Sequence, residues 1–143
     1  MALWKLQVSV LWCGLALLCS SFVNGKYSAE DVDLFGNLCN ATKEDMDVVK
    51  NYDVPSTETG KCFMKCLCEK SGMLDSYGKY SRTGTKEVLT KYWPETPVNI
   101  ITKVNDACYM ESLKISPTEL GTCNYYYKVK KCLNTQYKRY GML

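Results

Sequence analysis

The chain has 143 residues, nine cysteines, no histidine and a formal net charge of +3 at pH 7. The lack of histidine excludes His-based acid–base catalysis, Ser-His and Cys-His nucleophile pairs, and imidazole metal ligands. The single tight basic cluster, Lys128, Lys130 and Lys131, is too small to indicate nucleic-acid binding and is typical of a solvated helix face.

The first 25 residues have the three parts of a secretory signal peptide. Lys5 supplies the charged n-region, residues 8–19 form a mostly apolar run, and a suitable cleavage site precedes Lys26. A membrane anchor is the alternative, but polar residues interrupt the apolar run. We therefore predict a secreted, soluble protein in which residues 1–25 are removed and residues 26–143 form a single domain.

Helix-start and helix-stop signals follow one another from Ser28 onward, and strand-like alternation is scarce. Capping-box patterns begin the first two helices, and Gly72 ends the third. The predicted helices are one from Ser28 to about Cys39, a short one from Thr42, one from about Glu58 to Ser71, and one from Thr85 to Trp93.

The fifth and sixth predicted helices each begin next to a proline. Thr96 caps the fifth, and Pro97 occupies its first position. The sixth starts at the capping box of residues 116–119 and runs to about Leu133, with apolar residues on two faces. The tail, residues 134–143, has no helical pattern. The sequence therefore predicts an all-α fold.

Removal of the signal peptide leaves seven cysteines, of which six form the frame C-x22-C-x3-C-x41-C-x14-C-x8-C, and Cys68 is left over. In a small secreted chain such a frame indicates disulfides. Cys123 and Cys132 point to opposite sides of one predicted helix and cannot pair with each other, and a Cys62–Cys66 bond would constrain almost nothing. Ten of the fifteen connectivities that six cysteines allow remain open on these grounds.

The cysteine frame, together with the run CFMKCLCEKSGMLDSYG from Cys62 to Gly78, resembles the insect odorant-binding (pheromone-binding) family. The resemblance covers residues 26 to about 133, and the gap between Cys108 and Cys123 is longer than expected for the family. It implies a compact six-helix bundle around an internal apolar cavity, stapled by three interlocked disulfides. The implied pairs are Cys39–Cys66, Cys62–Cys123 and Cys108–Cys132.

The resemblance also implies a ligand site. Met64 and Cys68, each two residues after a cysteine of the frame, and Leu133, just after the sixth cysteine, correspond to wall positions of the family. The shared motif and the apolar helix faces supply the other candidates, each of which is equally suited to an ordinary core. The predicted ligand-binding residues are Val32, Phe35, Met64, Cys68, Met73, Leu74, Leu89, Ile101, Val104, Tyr126, Val129, Leu133 and Tyr137.

Cys68, the tyrosines and the C-terminal tail carry further expectations. We expect Cys68 to be a buried free thiol that faces the pocket rather than an exposed one that dimerises the chain. Among the tyrosines, Tyr126 and Tyr137 are expected to offer a hydroxyl to a ligand, and the others to cover the surface. In the tail, Met142 and Leu143 are expected to act as a lid.

The function implied by the resemblance is that of a secreted carrier, not an enzyme. It would bind small hydrophobic molecules, such as odorants or pheromones, in its cavity and carry them through sensillar lymph or another secreted fluid to receptors. The implied partners are the ligand and a chemosensory membrane receptor, without nucleic acid, metal or cofactor, and the protein would be a monomer or weak homodimer.

Two alternatives remain beside this carrier. The first is a salivary or reproductive-fluid scavenger of signalling molecules with the same fold, which the sequence does not separate from the carrier. The second is a secreted interaction protein whose own side chains fill its core. Plant-type lipid-transfer proteins are excluded, because they need an adjacent Cys-Cys pair that this chain lacks.

Overall fold

The computed structural model describes residues 27–143, so the predicted signal peptide lies outside the described residues. This part of the chain forms six α-helices and one 3-10 turn. They are α1 (Ala29–Leu38), α2 (Lys43–Lys50), α3 (Glu58–Ser71), α4 (Arg82–Tyr92), α5 (Val98–Ser112), the turn Pro117–Glu119, and α6 (Cys123–Arg139). Over residues 27–143 extended pairing is limited to one isolated bridge, and no helix there is long and apolar enough to cross a bilayer. The all-α prediction is confirmed.

Local signals place the first four helices. The reciprocal capping box of Ser28 and Asp31 is formed at α1, and the Thr42 side chain caps α2. α3 has the predicted bounds and ends at Gly72, whose φ of 85° is the left-handed conformation that glycine adopts without steric cost. α4 begins earlier than predicted, because the Ser81 hydroxyl accepts the free backbone N–H of Gly84 in the first turn of that helix.

The predicted start of the sixth helix is wrong. Residues 116–119 form only a 3-10 turn, because the Glu119 carboxylate binds the Asn124 amide and the Lys128 ammonium instead of closing the capping box. Gly121 then turns the chain with φ 82°, and Thr122 caps the true helix. At α5 the predicted Thr96 cap is also wrong, since the N-cap is Pro97 without a side-chain hydrogen bond.

The predicted end of the sixth helix is wrong as well. α6 continues through Arg139, so most of the tail is helical. Its later turns carry the buried side chains Gln136 and Tyr137, which pack against the body of the protein. Packing of this kind stabilises helical turns that lack an obvious amphipathic pattern.

Three disulfides tie the helices together, in the pairing that the resemblance implies. They join the C-terminus of α1 to α3, α3 to the first residue of α6, and α5 to the middle of α6, as Cys39–Cys66, Cys62–Cys123 and Cys108–Cys132. The most extensive helix–helix contact is between α3 and α6. The predicted compact fold with three interlocked disulfides is confirmed.

A buried carboxylate joins α2 to the start of α3. Asp45 is 2% exposed and accepts hydrogen bonds from the hydroxyls of Thr42 (2.8 Å), Thr57 (2.6 Å) and Thr59 (2.6 Å). Burial by itself raises the pKa of Asp45, but the three hydroxyl donors favour the charged form, and the net pKa lies below the ordinary value.

Replacing Asp45 with Asn should lower the free energy of unfolding by about 2 kcal/mol at neutral pH, because hydrogen bonds to a charged acceptor are lost. The folded-state pKa is depressed, so this contribution is present above the unfolded pKa of about 3.9 and is lost as the pH falls through the folded value. Urea unfolding at neutral pH and at an acid pH below the folded-state pKa measures the change in the free energy of unfolding. Asp47→Asn, at an exposed position of the same helix, is the control, and equal stabilities of the two variants would contradict the prediction.

Candidate functional site

Most of the predicted ligand-binding residues meet in one buried apolar cluster between α3, α4, α5 and α6. Nine of the thirteen belong to it: Cys68, Met73, Leu89, Ile101, Val104, Tyr126, Val129, Leu133 and Tyr137. Leu74 is half-buried and packs against this cluster. We call it the main cluster. Helix α6 supplies four of the nine residues and α3 supplies Cys68, which places the α3–α6 contact at the centre of the site.

The other three predicted residues lie elsewhere. Met64 and the half-buried Phe35 pack in a second cluster with Phe63 and Leu67, on the side of α3 that faces α1 and α2. Val32 is buried on α1. The predicted set is therefore divided between two clusters, and its role in ligand binding stays a prediction.

Cys68 is fully buried in the main cluster and has no disulfide partner. Burial raises the pKa of its thiol to about 11, because the thiolate would be removed from water. The thiol is therefore protonated at neutral pH and behaves as a small apolar side chain with a weak donor.

Two tyrosine hydroxyls of α6 are already occupied within the protein. The Tyr126 hydroxyl donates to the Gly78 carbonyl at 2.9 Å, and the Tyr125 hydroxyl accepts the Tyr80 N–H at 3.1 Å. Both tyrosines thus hold the turn between α3 and α4 against α6. The expectation that Tyr125 merely covers the surface is wrong, and the Tyr126 hydroxyl is not available to a ligand while its bond to Gly78 is intact.

Two other hydroxyls are buried without a hydrogen-bond partner among the described residues. They belong to Tyr137 on α6 and to Tyr27, which precedes α1. Burial raises the pKa of both phenols, so they are neutral. A buried polar group without a partner costs about 1–3 kcal/mol, which makes each such group a candidate contact for a ligand.

Lys130 is buried on α6 near Tyr27 and Tyr137, so the prediction of a solvated helix face is wrong for this lysine. It is 7% exposed, and its Nζ lies over the Tyr27 ring, 5.4 Å from the centroid. Within residues 27–143 it has no hydrogen bond or ion pair. Burial lowers the pKa of Lys130, because the charged ammonium is disfavoured away from water.

Tyr27, Lys130 and Tyr137 line one cleft of about 40 Å³. Its other lining residues include Trp93, Val49, Val54, Met64 and Leu67. The space suffices for one or a few water molecules, or for the polar end of a small ligand. The cleft is lined by residues of both apolar clusters, and its lining combines polar and apolar residues.

Trp93 connects this cleft to the C-terminus. Its ring contacts Tyr27 and Tyr137, with centroid distances of 5.6 and 4.6 Å. Its indole N–H donates to the Met142 carbonyl at 3.0 Å. The Met142 side chain is buried in the main cluster, and Gly141, with φ 64°, makes the turn that brings it there.

Two larger clefts flank the connection between α5 and α6. One, of about 930 Å³, lies between these helices, and the other, of about 370 Å³, lies beside the turn between α3 and α4. Of the predicted ligand-binding residues only Val129 lines the first, and none lines the second. The longer gap between Cys108 and Cys123 thus forms surface clefts away from the predicted site.

The comparisons with known proteins agree with this architecture. The sequence matches the PBP/GOBP family, the pheromone-binding and general odorant-binding proteins, over residues 27–136. This chain belongs to that family. The likeness to insect odorant-binding proteins that the cysteine frame indicates is therefore confirmed. A comparison with curated proteins gives no significant match.

Among solved structures, an odorant-binding protein from Drosophila melanogaster has a similar fold. The TM-score is 0.62 with 24% sequence identity, over 80% of this chain and 92% of that chain. This likeness supports the six-helix fold. The odorant-binding proteins of this family are binding proteins rather than enzymes, and no group of three potential metal-ligating side chains comes together within residues 27–143.

Sequence reasoning missed Lys130 and Tyr27 in this odorant-binding protein. The helical spacing could have found the lysine, because Tyr126, Lys130, Leu133 and Tyr137 follow one another at spacings of three and four residues on one face. Tyr27 carries no such signal. It precedes the first helix and reaches the site through its ring contacts with Tyr92 and Trp93 and through the Lys130 ammonium over its ring.

Proposed function

We propose that residues 26–143 form a secreted carrier domain that holds a small hydrophobic molecule beside the main cluster and carries it through aqueous fluid to a chemosensory receptor. Membership of the odorant-binding family supports this proposal. The observation that carries it furthest is the main cluster itself, which unites nine predicted ligand-binding residues next to unpartnered polar groups.

The energetics suit such a carrier. An apolar molecule gains about 25 cal/mol for each Å² removed from water, so burial of roughly 300 Å² gives about 7 kcal/mol. Taken by itself, this gain corresponds to a dissociation constant of about 10 μM, and the costs of association weaken it further. Such a carrier can load and release its ligand without any chemical step.

Wall residues that pack against one another leave little empty space, so a ligand must displace side chains as it enters. The three disulfides keep α1, α3, α5 and α6 in place during such a change, because each one joins two of these helices. The tail with Met142, like α4, carries no disulfide, and it ends at the cleft beside Trp93. We therefore expect entry beside the tail rather than between α3 and α6.

Purified oxidised protein should bind an environment-sensitive apolar naphthylamine dye with about micromolar affinity, and small apolar molecules should displace the dye. Reduction of the disulfides should abolish binding, because the helices that enclose the site are no longer tied together. Fluorescence titration before and after reduction measures both effects. Failure of the oxidised protein to bind dye or any apolar competitor would favour an interaction protein with a filled core.

A further inference from the structure

Three polar groups without a hydrogen-bond partner within residues 27–143 line the same small cleft, and the proposed carrier function does not by itself explain them. The groups are the ammonium of Lys130 and the hydroxyls of Tyr27 and Tyr137. Two belong to α6, and the third reaches the cleft from the segment before α1. The lining of the cleft therefore combines a mostly buried lysine with two buried aromatic hydroxyls.

The chemistry of these groups selects the occupant. An ammonium can only donate hydrogen bonds, whereas a phenol can donate and accept. A carboxylate carries a negative charge and two acceptor oxygens, so it satisfies all three groups at once. A neutral apolar molecule would leave the ammonium unpaired, and an amine would add a second cation beside it.

Other charged groups near the cleft do not take this place. Asp53 lines the cleft, but its carboxylate accepts the Val54 N–H at 2.9 Å and lies 4.0 Å from the Lys138 ammonium. The neighbouring Cys68 thiol is protonated at neutral pH and offers no negative charge. The charge of Lys130 is thus left for a group that comes from outside residues 27–143.

The apolar part of the cleft lining suits a hydrocarbon chain. Val49, Val54, Met64 and Leu67 line it, and Trp93 connects it with the main cluster. We propose that Lys130, Tyr27 and Tyr137 bind the carboxylate of an amphipathic ligand such as a medium-chain fatty acid, whose hydrocarbon chain lies against the apolar residues. This inference rests on the proposed carrier function and names the ligand class of the same site.

Decanoate and decanol, which differ only at the polar end, are the probes. The protein is secreted from cultured insect cells. Trp93 is the only tryptophan in residues 26–143, so its fluorescence reports ligand binding directly. Because a charged hydrogen-bonded pair is lost with the alcohol, decanoate should bind about tenfold or more tightly than decanol. Lys130→Met should lower the decanoate affinity about tenfold and leave the decanol affinity within about twofold.

Lys131→Met is the matched control, because it removes a lysine from an exposed position next to Lys130 on the same helix. It should change neither affinity. Tyr137→Phe removes a single hydroxyl and keeps the ring, so it should weaken decanoate binding several-fold while the protein stays folded. This variant tests the site even where Lys130→Met fails to fold.

The outcomes separate the two proposals. Equal wild-type affinities for decanoate and decanol would overturn the carboxylate site and leave the carrier function standing, with water as the occupant of the polar end. Equal loss of both ligands in folded Lys130→Met would overturn it as well. Absence of binding by both ligands and by the naphthylamine dye would contradict the carrier function itself.

Discussion

Removing the Cys62–Cys123 disulfide should lower the free energy of unfolding by about 4 kcal/mol. This bond closes the longest loop, with a sequence separation of 61 residues against 27 and 24 for the other two. The stabilisation from a crosslink grows with the length of the loop that it closes, because the unfolded chain loses more freedom. The bond also holds α3 against the start of α6, where the most extensive helix contact lies.

The double variant Cys62→Ala/Cys123→Ala tests this with little loss of packing, because Cys62 is exposed and Cys123 is half-buried. Urea unfolding followed by circular dichroism gives the change in free energy. Cys39→Ala/Cys66→Ala, which opens a shorter loop, serves as the comparison and should cost about 3.5 kcal/mol. A loss below about 1 kcal/mol in the first variant would mean that packing alone holds α3 on α6.

Met142→Ala should have the second-largest effect, and it should act on stability and ligand retention together. The Met142 side chain is buried in the main cluster while its carbonyl accepts the Trp93 indole N–H. Truncating a buried methionine costs about 2–5 kcal/mol, because the transfer free energy is lost and a cavity remains. A cavity there also loosens the tail over the cleft, so a bound dye should dissociate several-fold faster.

Met110→Ala is the control, because Met110 is 56% exposed on α5 and its loss should change neither quantity by a measurable amount. Urea unfolding and stopped-flow dilution of the naphthylamine dye give the two readouts. Unchanged dissociation in a destabilised Met142→Ala protein would mean that the tail stabilises the fold without covering the site. An unchanged stability would contradict the burial of the side chain.

Helix ends that depend on neighbouring residues are predictable from the sequence, whereas those that depend on more distant partners are not. The start of α1 at Ser28 and the end of α3 at Gly72 depend on side chains and backbone within a few residues, and both are predicted correctly. The start of α6 depends on Glu119, which binds residues five and nine positions later along the chain. A capping pattern alone does not show that its glutamate has such competing partners.

The same division applies to the candidate site. The apolar residues of α3 and α6 that follow the cysteine frame are recognisable from spacing and family likeness, and nine of the predicted set do meet in the main cluster. The sequence does not show which tyrosine hydroxyls have a hydrogen-bond partner within the protein. Tyr126 has an internal acceptor and Tyr137 has none among the described residues, although both lie on one face of α6.

The sequence by itself determined the helical class, the membership of the odorant-binding family and most of the apolar residues at the centre of the site. These follow from local capping, from the period of apolar residues and from cysteine spacing, which are written along the chain. Only the tertiary structure decided that Lys130 is buried with Tyr27 above it and that Met142 closes the cluster. Burial depends on which other segments cover a helix face, and those segments come from both ends of the described residues.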